Sequence, residues 1–376
     1  MIRNNQISIP FVDLKAQYQS IKEEIDTAIK NVINDTAFIK GKYVQQFEEE
    51  YADAYGIKHC ISCANGTDAI YVTLKALGIG RGDEVITVAN TWISTSETIS
   101  QTGAKPVFVD IHPDYYTIDV SKIEEKITTK TKAIIPVHLF GQPAEMDAIV
   151  DICKRHNLLL VEDCAQAHFS EWKGKKVGTM GIAGTFSFFP GKNLGAYGDA
   201  GCIITNNDEL AVKARMFANH GALKKHHHGL EGINSRLDGL QAAILSVKLK
   251  YIHQWTDLRI QHAEKYSELL SRIDNIVTPV IHQDASHVFH LYVIRTQRRS
   301  ELQTHLKDKG ISSGIHYPTP LPFLKAYEYL GYKSGDFPIS YNYMDKILSL
   351  PMYPELKKEE VDLVCGSISE FYSELN

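Results

Sequence analysis

An α/β fold with a mostly parallel central sheet, joined to a smaller α+β C-terminal domain, is what this 376-residue sequence predicts, on three observations. Short apolar runs rich in β-branched residues alternate with segments of helical period through the middle of the chain. Those runs lack polar alternation, which is the pattern of strands buried on both faces by crossover helices. The alternation then stops after a long apolar helix pattern, and the length exceeds what one hydrophobic core usually supports.

Taken in order, Tyr18, Ile21, Ile25, Ile29 and Val32 mark an amphipathic helix near the start. "HCISCA" reads as a strand, so Cys60 and Cys63 point to opposite faces and serve as free buried thiols. Gly66, Thr67 and Asp68 open a helix whose apolar positions are Ile70, Leu74 and Leu77, and "GIGRGD" stops it with a turn. Val85–Val88, Pro106–Asp110, Ala133–His138 and Leu158–Asp163 read as buried strands, with Met146, Ile149, Ile152 and Cys153 at helical spacing between the last two. Ligands of such a sheet gather at the carboxyl ends of its strands, where Asp110 and Asp163 stand. Ser235–Ile252 reads as one long helix, and the domain boundary is placed near its end: residues 1–248 form the large domain and 249–376 the small one. His290–Thr296 alternates as a strand does, and the helix after it ends at Gly310.

Composition narrows the function. A formal net charge of −5 argues against nucleic-acid binding, which needs excess Lys and Arg, and leaves small molecules as the expected partners. No apolar run is long enough for a membrane span and no signal peptide is evident, so the cytoplasm is the expected compartment. The six cysteines lack the paired spacing of a zinc ribbon, and no metal site is expected.

"FSFFPGKNLGAYGDAG" poses the question of chemistry. The loop is no P-loop: six residues separate Gly184 from Gly191, and Asn193 follows the lysine where Ser or Thr is required. Pro190 and Gly191 make a tight turn after an apolar strand, which holds Lys192 near a core. Burial lowers an amine's pKa, as a nucleophile toward a carbonyl requires; the competing reading is a lysine with a solvated tip. Other segments supply what pyridoxal 5'-phosphate needs. Asp163 at a strand end can face the pyridine nitrogen, and the helix opened by Gly66, Thr67 and Asp68 can receive the phosphate. Trp92 can cover the ring.

The runs "NGTDAIYVTLKALGIGRGDEVITVANTW", "PVHLFGQPAEMDAI", "VEDCAQAH", "FSFFPGKNLGAYGDAGCIITN" and "GINSRLDGLQAAIL" resemble the pyridoxal-phosphate sugar aminotransferases of the DegT/DnrJ/EryC1/StrS family. The resemblance implies the aspartate-aminotransferase-like fold, fold type I, and a homodimer that shares its active sites. It implies that Lys192 binds the cofactor covalently, that Asp163 pairs with the ring nitrogen and that Gln166 bonds the ring hydroxyl. Trp92 would stack, while Thr67, the Asp68 backbone amide and Ser187 hold the phosphate, completed by Asn234 of a partner subunit. L-Glutamate would be the amino donor and a nucleotide-linked keto sugar the acceptor. The family's dehydratase branch carries histidine at the lysine position, which Lys192 argues against. The C-terminal stretches "HLYVIRTQRRSELQTHLKDKGISSGIHYPTPLP" and "ILSLPMYPEL" look most like enzymes acting on C3 of dTDP-3-keto-6-deoxyhexoses, whose products enter surface glycans. Pro322 stands where many relatives have a further histidine. His316 and Tyr317 are candidates for the sugar pocket, against a structural turn held by Pro318 and Pro320. Lys224 and Lys225, beside three histidines, are candidates for the substrate pyrophosphate, against a solvated loop. Amination at C4 and a cofactor-binding regulator without turnover are the alternatives.

Overall fold

The computed structural model describes residues 8–374. Seven strands form the central sheet: β1 (His59–Cys63), β2 (Glu84–Val88), β3 (Lys105–Val109), β4 (Thr131–Ile135), β5 (Leu159–Asp163), β6 (Ala183–Ser187) and β7 (Gly201–Thr205). Their spatial order is β1-β7-β6-β5-β4-β2-β3, and β7 alone runs against the others. The four strands expected between residues 85 and 163 are all present. Both faces are covered, as their uniform apolarity requires: Val85 and Ile135 pack into one cluster, Ile86 and Ile134 into another on the opposite side.

The covering helices begin with α1 (Leu14–Ser20), α2 (Lys22–Asn34) and α3 (Lys42–Tyr55). The early helix is thus two helices. Asp13 caps α1 by accepting the Ala16 amide, and the chain breaks at Ile21, while Tyr18, Ile21, Ile25 and Ile29 still share one cluster. Next come α4 (Gly66–Ala76), α5 (Ser94–Thr102), α6 (Met146–His156), α7 (Asp208–Phe217) and α8 (Gly239–Leu249). The expected long helix therefore starts at Gly239, not Ser235. Gly239 lies so close to the strand-like segment before α3 that a β-carbon would stand 2.0 Å from the Ala37 carbonyl, and its amide donates to Phe38.

α9 (Ile252–Leu270) passes between two cores. Ile252 packs with the sheet's cluster, whereas Ala263, Tyr266 and Leu270 pack with α10 (Arg299–Asp308), α12 (Lys358–Ser373) and the antiparallel pair β8 (Tyr292–Arg295) and β9 (Ile347–Leu350). The short α11 (Pro338–Tyr343) is anchored by Asp110, whose carboxylate accepts the Ile339 and Ser340 amides. Near the N-terminus, Ile9 pairs with Ile311 and buries itself in the C-terminal cluster, so that cluster draws on both ends of the chain. Among the described residues no helix is long and apolar enough to cross a membrane.

Candidate active site

A cavity of about 650 Å³ opens at the carboxyl ends of β1, β2, β5 and β6, walled on its far side by residues 11–12, 315–318 and Met352. Asn65 caps α4: its side chain accepts the Asp68 amide at 2.7 Å. That bond departs from the expected cradle, because the Asp68 amide is already taken by the cap, and Asp68 does not line the cavity. Gly66 and Thr67 do, and the Thr67 hydroxyl pairs with that of Ser94 at 2.7 Å. A β-carbon on Gly66 would lie 2.5 Å from the Ser187 β-carbon, so glycine is required for the helix start to meet the end of β6. Behind Ser187, the Tyr51 hydroxyl and the Ser187 carbonyl hold the two ring nitrogens of His168, at 3.0 and 2.9 Å. Burial drives that imidazole's pKa down to about 4, so it is neutral, accepting from Tyr51 and donating to Ser187.

Asp163 ends β5. Its carboxylate accepts the Thr95 hydroxyl at 2.7 Å and the Ala165 amide at 3.1 Å. Burial raises its pKa, against the opposing pull of those bonds and of the nearby Lys192. Lys192 sits on the expected turn, its amide donating to the Phe189 carbonyl at 2.8 Å, and lines the same cavity. Desolvation lowers its pKa to about 8, and Asp163 offsets only part of that shift. Gln166 accepts the Phe140 amide and donates to the Tyr317 hydroxyl at 2.9 Å. Trp92, 57% exposed, tilts against Tyr317 with ring centres 5.8 Å apart. His316 bonds Ser349 and stacks on Phe11, and burial lowers its pKa to about 4.

Three expected residues lie outside this chain's own cavity lining. Asn234, expected to act from a partner subunit, is exposed and bridges Asn219, and Lys224 and Lys225 project from a short hairpin with His227 and His228. Among the described residues Lys192 is the only lysine or arginine lining the cavity. Sequence reasoning missed Phe11, Val12, Ser94, Thr95 and His290, which line it too. His138, Glu162 and Cys164 cluster behind β5 in a geometry that suggests a metal. Their atoms are already committed: Glu162 accepts the Gly178, Met180 and Gly181 amides, and His138 Nδ1 accepts the Ala144 amide, leaving Nε2–H to donate to Glu162.

The donor set fits pyridoxal phosphate. A buried carboxylate whose protein partners are uncharged donors suits a protonated ring nitrogen, and a desolvated amine suits its aldehyde. Residues 19–369 match the model of the DegT/DnrJ/EryC1/StrS aminotransferase family. The chain belongs to that family. Its members are pyridoxal-phosphate-dependent sugar aminotransferases, and the fold and cofactor expected from the motifs are those of the family. The chain is 49% identical over 368 residues to a pleiotropic regulatory protein of Geobacillus stearothermophilus, covering 97% of this chain and 99% of the relative. It is 43% identical to a dTDP-3-amino-3,6-dideoxy-alpha-D-galactopyranose transaminase of Aneurinibacillus thermoaerophilus, over 96% of this chain and 99% of that one. A crystal structure of DesV from S. venezuelae, in complex with a ketimine intermediate, superposes with a TM-score of 0.94 at 39% identity, covering 97% of this chain and 98% of that one.

Proposed function

We propose that this aminotransferase moves the amino group of L-glutamate to C3 of a dTDP-linked 3-keto-6-deoxyhexose, yielding a dTDP-3-amino-3,6-dideoxyhexose for surface glycans. The observation that carries the reading is Lys192 and Asp163 facing one cavity, the amine lowered to about 8 and the carboxylate buried. The bound cofactor supplies an aldehyde that captures amines and a ring that takes up the electron pair left when a proton departs. Lys192 would hold that aldehyde, and its desolvated amine is placed to accept and return a proton inside the cavity. Asp163 keeps negative charge against the ring nitrogen, Gln166 meets the ring hydroxyl, and Trp92 covers the ring face. Thr67, Ser187 and the free amides at the start of α4 receive the phosphate.

Among the described residues a single chain offers one lysine or arginine at the cavity to ligands that bring a phosphate, a diphosphate and two carboxylates. This supports a homodimer in which Asn234, Lys224 and Lys225 of a second copy complete each site. His316 and Tyr317 stand at the wall proposed for the sugar. The dTDP-sugar transaminase relative supports C3 and the 6-deoxy acceptor. Borohydride reduction with peptide mapping, then turnover of glutamate against a panel of 3-keto and 4-keto nucleotide sugars, tests the reading. A label on another lysine, or preference for a 4-keto acceptor, overturns it. The 49% identity to a pleiotropic regulatory protein favours a second reading, cofactor binding without turnover. The same turnover assay decides between them.

A further inference from the structure

Lys192 is not the only amine that this fold withdraws from water. Lys248, on α8, is fully buried, and its Nζ donates to the Gly195 carbonyl at 2.7 Å and lies 4.2 Å from the centre of the Tyr197 ring. Both partners belong to the loop that carries Lys192. Glu355 is the acidic group that faces Lys248; Arg259 and Asp13 face Glu355 in turn, and neither Glu355 oxygen has a hydrogen-bond partner among the described residues.

The same loop is gripped from its other side. Asn193 donates to the Val288 carbonyl at 3.0 Å and lies 3.2 Å from the His290 ring nitrogen. Arg259 secures that neighbouring segment by donating to the carbonyls of Phe289 and Met352, at 3.2 and 2.9 Å. The loop is also folded hard onto itself, since a β-carbon on Gly195 would stand 2.3 Å from the Pro190 carbonyl. A shift at Gly195 is therefore transmitted to the Pro190–Lys192 turn, not absorbed between them.

An ammonium placed against one carbonyl and one ring is costly, and burial pushes its pKa down to about 7. An apolar side chain would fill the same space without that cost. What the apolar side chain lacks is a donor for Gly195.

We propose that Lys248 is a positioning residue: its amine latches the Gly195 carbonyl and, through that loop, sets where the Lys192 amine stands in the cavity. The inference rests on the role given to Lys192 above. The test compares wild type with Lys248→Met, which removes the donor, and Lys248→Gln, which keeps one. Two readouts are taken: the pH midpoint for labelling the Lys192 amine in the cofactor-free full chain, read by mass spectrometry, and single-turnover amino transfer in the holoprotein. In Lys248→Met the midpoint rises toward that of a solvated lysine and transfer slows about tenfold, the scale of a small misplacement of a reacting group. Lys248→Gln recovers most of both.

Wild-type values in Lys248→Met, or equal impairment of the Met and Gln variants, overturn the proposal. Should the Met variant not fold, Lys248→Leu is assayed in its place by the same two readouts; a raised midpoint with slowed transfer supports the latch, and wild-type values overturn it. Wild type whose cofactor maps to another lysine refutes the proposed function. Wild type labelled at Lys192 with variants indistinguishable from it refutes this inference alone.

Discussion

The first residue of α4 and the last residue of β6 meet without a side chain between them: a β-carbon on Gly66 would sit 2.5 Å from that of Ser187 and 3.1 Å from its hydroxyl oxygen. Two segments far apart in sequence thereby bring a helix N-terminus and a strand-end hydroxyl to one point, the place proposed for the cofactor's phosphate.

Gly66→Ala is therefore expected to push these segments apart. Overpacking of this kind costs roughly 1 to 3 kcal/mol. Cofactor affinity should fall at least about tenfold, a loss of about 1.4 kcal/mol, while the melting temperature drops by a few degrees. Fluorescence titration with pyridoxal phosphate and a thermal melt measure both, and wild-type affinity would place the cradle elsewhere.

Thr95→Val removes the hydroxyl that Asp163 accepts at 2.7 Å. That bond lowers the pKa of a carboxyl already raised by burial, so its loss raises the pKa further. A carboxyl with a raised pKa takes up its proton at higher pH. The acid limb of the pH–rate profile should move upward, with about tenfold less activity on the acid side, the worth of one buried hydrogen bond. An unmoved acid limb would assign that limb to another group.

Burial lowers the pKa of the Lys192 amine to about 8, against about 10.4 for a free lysine. Between those values the unfolded chain binds more protons, so the cost of burying this ammonium is present below about pH 8 and is relieved as pH rises through the window. The rate of cofactor capture by the cofactor-free chain should rise about tenfold per pH unit up to about 8 and then level off. Stopped-flow absorbance checks it; a rise that continues to about pH 10 would mean the amine is solvated.

Phe11→Ala strips the ring stacked on His316, with centres 5.6 Å apart, from the wall opposite the sheet. If that wall receives the sugar, KM for the keto sugar rises about tenfold or more while capture of the cofactor is unchanged, because Phe11 stacks on His316 and is not among the residues proposed to hold the phosphate. Steady-state kinetics with varied acceptor measures the split. Equal loss in both would show a structural effect.

Local signals made the central-sheet strands and the Lys192 turn legible. Uniform apolar runs marked β2 to β5, and Pro190–Gly191 marked the turn, since each depends on residues adjacent in sequence. The helix start at residue 66 was legible too, yet the capping role of Asn65 was overlooked, and with it the commitment of the Asp68 amide; an Asx residue three before that amide is the signal that was available. Phe11 and Val12 left no trace, because their place depends on Ile9 pairing with Ile311. Lys248 reads as an ordinary charge near a helix end, between the apolar Val247 and Tyr251; only the loop folded against α8 turns it inward. The break at Ile21 is likewise invisible to a periodicity that continues across it.

The cavity wall begins at Phe11 and is not finished until Met352. A nascent polypeptide still threaded through the ribosome has Lys192 long before it has the enclosure. A copy cut short before Met352 lacks part of that wall, and a ligand that needs the whole enclosure would give it less resistance to unfolding.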